Sequence, residues 1–345
     1  MARTDAAQPG TAQTAAAQPG TAEKSTVRAR DPALSGLTFT SANSGLNLDV
    51  QNGNTGDGVF VVTNSAPGYH QRWSAAPRAD GSFTLVNDGT GKCLQTGLPL
   101  RQQSCSGAAG QRWYFQPVNG AADTFMLRNA GDHKCVDVVL GAQHEDAWTQ
   151  TYDCNGTEPQ QWRIPASASG AAFEAAVDHA AERCRGDAST CSWSKGTQAP
   201  AEPLPKVCVS PVWYNGTDAP VPWTFSLTTT SGWSSRIGVS FTTEVGAGEP
   251  SPVQAKVSYS VNGEVTYDLS QELGNSLEIT VPSRHYGWVA LSELATTVTG
   301  EWTFDANGHP WTAEDSVTVP LMSDDQGRTS VYLAQTSPEF TTCRS

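Results

Sequence analysis

Strand-like alternation of apolar and polar residues dominates this chain. It occurs in short runs early on, as at residues 83–86 and 124–127, and in longer runs later, as at 277–281 and 298–304. Gly, Pro, Asn and Asp separate these runs, as turn residues do between antiparallel strands. The pattern predicts an all-β protein with short strands first and longer strands towards the C-terminus.

One stretch, residues 169–184, follows the helical period instead. Its apolar residues fall on one helix face, and they are Phe173, Val177, Ala181 and Cys184. We predict a short helix with Ser169 as its N-cap, docked on the last part of the chain, with His179 on the surface. The Pro-rich residues 198–206 that follow are interpreted as a spacer.

A Gln-x-Trp motif occurs three times. The copies end at Trp73, Trp113 and Trp162, so the tryptophans are 40 and then 49 positions apart. Repeats at such a period indicate one supersecondary unit used three times, and three units indicate a closed, pseudo-threefold body. A Trp in each unit suits a shared core, because an indole buries a large apolar area while its N–H requires a partner. The motif glutamines are expected to bond backbone within their own turns.

The three motifs stand in register with further residues that repeat. These are Leu48-Asp49-Val50, Cys93-Leu94 and Cys135-Val136-Asp137-Val138, with cysteine pairs at fixed places in the second and third repeats. Over about residues 35–165 the chain therefore resembles the ricin-type β-trefoil lectins. The resemblance implies a β-trefoil with shallow sites, at most one per repeat, for galactose or a related sugar.

The third repeat matches the family's sugar site best. Asp137 stands at the place of the aspartate that accepts hydrogen bonds from sugar hydroxyls, and Tyr152 at that of the aromatic platform. Gln150 and Gln160 match polar positions beside them, whereas Pro159 replaces a frequent Asn and leaves the sugar's identity open.

The other two repeats match less well. The first repeat keeps Asp49 as a weaker candidate, but Val62 occupies its platform position. The second repeat has Gln95 in place of the aspartate, so it is expected to be structural. A trefoil that binds no sugar is the alternative.

The net charge of the chain limits the classes of binding partner that we expect. The net charge is −13 with 21 Lys and Arg residues, which disfavours nucleic acid, since phosphate contact requires concentrated cations. It also disfavours electrostatic adhesion to anionic lipid. No nucleophile, metal-binding or nucleotide-binding motif occurs, so we predict a non-enzyme with no cofactor and no metal. A glycosidase carboxylate pair is the one catalytic alternative left open.

The eight cysteines include no zinc-like spacing. Cys93 with Cys105 and Cys135 with Cys154 each flank a strand pair within one repeat. The other four allow three pairings, of which we favour Cys184–Cys191 and Cys208–Cys343. Disulfides indicate an oxidising compartment, so we expect a secreted protein from which a signal peptide has been removed, because the N-terminus lacks the apolar core of such a peptide.

The composition divides the chain into four parts. Residues 1–34 repeat AAQPGTA and are expected to form a flexible low-complexity tail. The β-trefoil is predicted over 35–166, the helix and Pro-rich linker over 167–206, and a second all-β domain of antiparallel strands over 207–345.

The last part resembles the aerolysin-like, epsilon-toxin-type pore formers. The features are Tyr214-Asn215-Gly216-Thr217, Trp233-Ser234, Val281-Pro282 followed by Trp288-Val289, and Thr299-Gly300-Glu301-Trp302. The similarity lies in the residue composition of these segments and in their order along the chain. The resemblance implies an elongated antiparallel domain in a soluble monomer that assembles into a ring and inserts one β-hairpin per protomer.

Two alternating runs, residues 237–245 and 253–261, flank a Gly- and Pro-rich turn. A transmembrane β-strand needs only about 9–11 residues with alternating faces, and an ordinary half-exposed strand shows the same alternation. The candidate lipid-facing residues are Ile237, Val239, Phe241, Val245, Val253, Val257 and Tyr259.

Together these features predict a secreted carbohydrate-binding protein that acts as a glycan-targeted β-pore-forming toxin, with membrane as a partner on oligomerisation. The alternatives are a non-lytic lectin or adhesin, and an accessory carbohydrate-binding protein of a polysaccharide-degrading system.

Overall fold

The computed structural model describes residues 32–65, 68–78, 80–228, 234–235, 256–257, 260, 273–305 and 308–340. The first half contains the strands β1 Thr40–Ser41, β2 Asn47–Val50, β3 Val61–Asn64, β4 Trp73–Pro77, β5 Phe83–Asn87, β6 Cys93–Gln95, β7 Arg101–Gln103, β8 Arg112–Val118, β9 Ala121–Asn129, β10 Cys135–Val138, β11 Ala147–Tyr152 and β12 Trp162–Arg163. Short 3-10 turns occur at Pro32–Leu34, Gln51–Gly53, Tyr69–Gln71, Ala109–Gln111, Val139–Gly141, Glu158–Gln160 and Ala188–Thr190. Each Gln-x-Trp motif therefore begins on the last residue of a 3-10 turn.

These strands form a β-trefoil. All twelve are hydrogen-bonded into one continuous antiparallel system, and each repeat contributes one hairpin, namely β2–β3, β6–β7 and β10–β11. Because the hairpins are equivalent, the candidate aspartate position falls at the same place in each. The predicted pseudo-threefold body is confirmed.

The three tryptophans fill the trefoil core as predicted. Trp73, Trp113 and Trp162 are all buried. Their indole Nε1 atoms donate to backbone carbonyl oxygens at 3.0, 3.0 and 3.1 Å. The acceptors are Leu48, Leu94 and Val136. Each acceptor directly precedes the aspartate position of its own repeat, so the core ties down the strand that carries the candidate site.

The one long helix, α1, spans Ala166–Gly186 and begins after Pro165. It starts before Ser169, whose hydroxyl donates to the carbonyl oxygen of Ala166 (2.9 Å), so the predicted cap is wrong. The helix packs against β8 and β9 of the trefoil, while Phe173 meets Trp311 of the last part edge to face. It therefore lies between the two β regions, whereas the sequence had placed it on the last region alone.

The second half consists of antiparallel sheets. Its strands are β13 Cys191–Gln198, β14 Glu202–Pro203, β15 Val207–Cys208, β16 Trp213–Tyr214, β17 Val221–Ser226, β18 Ser234–Ser235, β19 Ser276–Val281, β20 Tyr286–Ser292, β21 Leu294–Phe304, β22 Trp311–Leu321 and β23 Val331–Ser337. Among the described residues these strands form three sheets. The first has the order β13-β21-β22-β18, with β14 also paired to β21. The second has the order β15-β20-β16, with β23 also paired to β20, and the third is the pair β17-β19. Both β13 and β14 pair with β21, so the spacer predicted over 198–206 is in part a sheet edge.

Asn215 links backbone segments of the second half through its side chain. It is fully buried, and its Nδ2 donates to the carbonyl oxygens of Ala219 (2.8 Å) and Val281 (3.0 Å). Its Oδ1 accepts from the backbone N–H of Thr217 at 3.0 Å. The Tyr-Asn-Gly-Thr pattern thus reflects a turn that joins β16 to the end of β19.

Three disulfides agree with the predicted pairings. They are Cys93–Cys105, Cys135–Cys154 and Cys184–Cys191. Cys208 is also disulfide-bonded, and its predicted partner Cys343 lies outside the described residues.

Most of the predicted membrane hairpin lies outside the described residues. This applies to Ile237, Val239, Phe241, Val245, Val253 and Tyr259. Val257 is described, with helical backbone and a buried side chain in the main hydrophobic cluster. Val257 therefore does not lie on an extended strand in this structure, and its place in a membrane-inserting hairpin stays a prediction.

A buried ion cluster joins the trefoil, α1 and the sheet that contains β21. Asp305 Oδ2 lies 2.8 Å from Arg128 Nη1 of β9, and Asp305 Oδ1 lies 3.2 Å from Arg183 Nη1 of α1. The backbone N–H of His309 also donates to Asp305 Oδ2 at 2.8 Å. Burial alone would raise the pKa of Asp305, but the Arg128 charge, the His309 N–H and the Arg183 charge bring this pKa below its ordinary value. Asp305 is therefore the ionised centre of the junction.

His179 lies beside this cluster and is buried, so its predicted surface position is wrong. Its Nδ1–H donates to the carbonyl oxygen of Asp80 at 2.9 Å, while its Nε2 is buried without a partner among the described residues. Gly81 lets the helix approach this closely, because a Cβ there would lie 2.6 Å from the His179 backbone nitrogen. Burial lowers the pKa of His179 to about 4, with the nearby Arg183 charge adding to the burial effect and the Asp80 contacts opposing it.

We expect His179 to make the protein acid-sensitive. Its folded-state pKa lies below that of an unfolded histidine, so the unfolded chain binds more protons between about pH 6.5 and 4. The free energy of unfolding is therefore higher above this window and decreases as the pH falls through it, by about 3 kcal/mol from this pKa shift alone. His179→Gln does not titrate and can still donate to Asp80, so it should lose less.

The measurement is the urea midpoint of wild type and His179→Gln at pH 7.5 and pH 4. Carboxylates titrate in both proteins, so the difference between the two pH dependences isolates His179. Parallel curves would show that His179 is not the acid-sensitive group.

Candidate functional site

The third-repeat site is assembled by the β10–β11 hairpin. Asp137 of β10 is paired in register with Gln150 of β11, and Cys135 with Tyr152. Gln150 Nε2 donates to Asp137 Oδ1 at 2.9 Å. The Asp137 side chain is only 6% exposed, whereas Tyr152 is 51% exposed. The hairpin thus brings together a shielded carboxylate, an amide that orients it and an accessible aromatic ring.

Burial has an electrostatic consequence for Asp137. It raises the pKa of this carboxyl, and the side-chain amides of Gln150 and Gln160 lower it in part. A partly desolvated carboxylate is a strong hydrogen-bond acceptor, since bonds to charged groups exceed neutral ones and the low local dielectric strengthens them. Such a group suits ligand hydroxyls.

Gln160 lies next to Asp137 and is buried, so its side chain is not exposed to solvent. It is fully buried, its Oε1 accepts from the Asn155 N–H at 2.7 Å, and its Nε2 donates to the carbonyl oxygen of Asp153 at 3.0 Å. This confirms the expected bonding of the motif glutamine within its turn. A direct contact between Gln160 and a sugar stays a prediction.

A disulfide fixes the platform. Cys154 follows Tyr152 by two residues and is bonded to Cys135, which is the register partner of Tyr152. The two strands are therefore covalently linked at the end of the hairpin that carries Tyr152, which limits the conformational freedom that a ligand would otherwise have to remove.

The first-repeat site is closed. Asp49 is 1% exposed, its Oδ1 lies 2.5 Å from His70 Nδ1, and its Oδ2 accepts from Gln71 Nε2 at 2.8 Å. Val62, at the platform position, is buried. Both carboxylate oxygens thus have internal partners, so Asp49 lacks the open acceptor that the weaker sugar site would require.

In the second repeat, Gln95 at the aspartate position donates to the neighbouring Thr96 hydroxyl at 3.3 Å. A neutral amide replaces the carboxylate, in agreement with the structural role expected for this repeat.

Trp148 was not among the site residues predicted from the sequence. Trp148 lies on the same strand as Gln150 and Tyr152 and is 49% exposed. Alternation along β11 was the available signal, because residues two apart on a strand share a face.

No cluster of three or more metal-binding side chains occurs among the described residues. In the same part of the chain, no helix has the length and apolar character needed to cross a membrane.

Comparison with known proteins identifies the first half. Residues 36–162 match the family model of the Ricin-type beta-trefoil lectin domain. This segment is a ricin-type β-trefoil lectin domain. The matched segment includes all three Gln-x-Trp motifs and both cysteine pairs described above.

Three solved structures are each similar to 37–39% of this chain. The designed threefold-symmetric protein ThreeFoil has 28% identity and a TM-score of 0.35, covering 37% of this chain and 96% of ThreeFoil. An exo-beta-1,3-galactanase from Clostridium thermocellum has 20% identity and a TM-score of 0.36, covering 39% of this chain and 30% of that enzyme. The C-half of the earthworm R-type lectin, solved with GalNAc, has 15% identity and a TM-score of 0.31, covering 37% and 97%.

Proposed function

We propose that this chain is a secreted, non-enzymatic protein that binds glycans through the third repeat of its lectin domain. The observation that carries the proposal is the pairing of Asp137, oriented by Gln150, with the exposed ring of Tyr152. The carboxylate accepts hydrogen bonds from sugar hydroxyls while the tyrosine ring stacks on the apolar face of the sugar. The family favours galactose or a related sugar.

The closed first repeat and the neutral second repeat support a single main site. A protein with one shallow site binds a monosaccharide weakly, so measurements at high sugar concentration are appropriate. Three disulfides among the described residues support an oxidising, extracellular location.

We expect Asp137→Ala to weaken galactose binding about tenfold or more, because each charge-assisted bond contributes about 1.5–3 kcal/mol. Isothermal titration with galactose, backed by a glycan array, measures this. Asp153→Ala is the matched control: it removes the same charge close by, and its side chain is 82% exposed and forms only a surface pair with Lys134. Equal binding by wild type and Asp137→Ala would show that the site lies elsewhere.

For the second half we propose a membrane-perforating role. The antiparallel sheets and the alternating sequence of residues 237–261 support a glycan-targeted pore former that oligomerises at a membrane. Dye release from vesicles carrying a galactose-terminated glycolipid tests it, with galactose-free vesicles as the control. Binding without release favours the non-lytic lectin or adhesin. Cleavage of a glycan panel would contradict the non-enzymatic assignment.

A further inference from the structure

The outer face of β11 presents a row of three side chains. Trp148, Gln150 and Tyr152 alternate with Ala147 and Thr149, which are both buried. Since residues two apart on a strand point to the same side, the indole, the amide and the phenol share one face. The two aromatic rings at its ends are each about half exposed.

Trp148 is held at this surface by its neighbours. Its ring meets Phe60 edge to face, with centroids 5.7 Å apart, and the guanidinium carbon of Arg101 lies 4.5 Å from the centroid of the Phe60 ring. Arg101 Nη1 in turn donates to the carbonyl oxygen of Gly58 at 3.0 Å. The indole therefore contacts Phe60 and remains about half exposed, so a ligand that stacks on it would have little side-chain freedom to remove.

The spacing of the two rings sets the size of the ligand. Tyr152 lies four steps along the extended strand from Trp148, which is about 13 Å at roughly 3.3 Å per residue. One sugar ring stacked on Tyr152 within reach of Asp137 cannot also cover Trp148. A second sugar unit, linked to the first and running along the strand, can.

We infer that Trp148 is a second stacking platform, and that the ligand is an oligosaccharide of at least two sugar units lying along β11. The inference rests on the proposed function, because Asp137 and Tyr152 hold the first unit. Gln150, between the two rings, is placed to bond hydroxyls near the linkage. The neighbouring hairpin supplies Phe60, so the extended site depends on two trefoil repeats.

The test is isothermal titration of wild type, Trp148→Ala, Trp148→Phe and Asp137→Ala. The probes are galactose and galactobiose in β-1,3 and β-1,4 linkage. Wild type should prefer one galactobiose over galactose, and Trp148→Ala should weaken galactobiose binding about three- to tenfold. Galactose binding by Trp148→Ala should stay within about twofold of wild type. Trp148→Phe keeps an aromatic face and should retain most of the preference.

The controls separate this inference from the proposed function. Asp137→Ala should lose both ligands, and thermal melts establish that each variant is folded. If Asp137→Ala loses both while Trp148→Ala keeps the wild-type ratio of galactobiose to galactose affinity, the second platform is overturned and the primary site stands. If Asp137→Ala binds both as wild type does, or if wild type binds neither, the proposed function and this inference fall together.

Discussion

Replacing Asp305 by alanine is expected to lower the free energy of unfolding by about 3–5 kcal/mol, the usual cost of breaking a buried ion pair from one side. The variant leaves Arg128 buried with its main countercharge removed and leaves Arg183 without its partner. It also removes the acceptor of the His309 N–H. Asp305→Asn keeps an acceptor but loses the charge, so it should fall between wild type and Asp305→Ala.

Urea unfolding followed by far-UV circular dichroism measures the loss. The matched control is Asp218→Ala, which removes an aspartate paired with Arg284 at 2.7 Å but exposed to solvent. Exposed pairs contribute little, so this control should cost a small fraction of the Asp305 effect. Equal losses in the two variants would mean that the junction cluster does not hold the two β regions together.

Replacing Trp162 by alanine should cost a similar amount, about 3–5 kcal/mol, through the cavity left in the trefoil core. Trp162→Phe preserves most of the ring but loses the hydrogen bond to the Val136 carbonyl oxygen. It should cost less, and it should also weaken galactose binding, because Val136 directly precedes Asp137 on the strand that carries the carboxylate.

Trp148→Ala is the control for residue type, since it removes a half-exposed tryptophan of the same repeat. Its melting temperature should stay close to that of wild type, while Trp162→Ala melts well below. The prediction is wrong if the two variants melt together.

The Trp162 and Asp305 substitutions affect different parts of the structure. Trp162 stabilises one repeat and the strand beneath its site, whereas Asp305 joins that lectin domain to the sheets that follow. The carbonyl oxygen of Cys154, which follows the β10–β11 hairpin of the candidate site, also lies 2.8 Å from His309 Nε2. The junction and the candidate site are therefore neighbours, separated by one disulfide-bonded residue.

Features encoded locally could be predicted from the sequence. The repeated Gln-x-Trp motifs indicated the trefoil, because each repeat forms its own hairpin and delivers its own tryptophan to a common centre. The pairing of Cys135 with Cys154 followed from their places at the two ends of one hairpin. Asp137 and Tyr152 were identified by family resemblance, and the hairpin register brings them to one surface.

Contacts between distant segments were decided only by the tertiary structure. Arg128 and Asp305 are 177 positions apart, and no periodicity along the chain relates them. His179 lies on a face that the helical pattern assigned to solvent, and it is buried because the helix packs between two β regions rather than on one. Asp49 matches the family's aspartate in sequence, yet His70 closes it. Periodicity determines which residues share a strand or helix face, but whether that face meets water, another element or a ligand depends on what the rest of the chain packs against it.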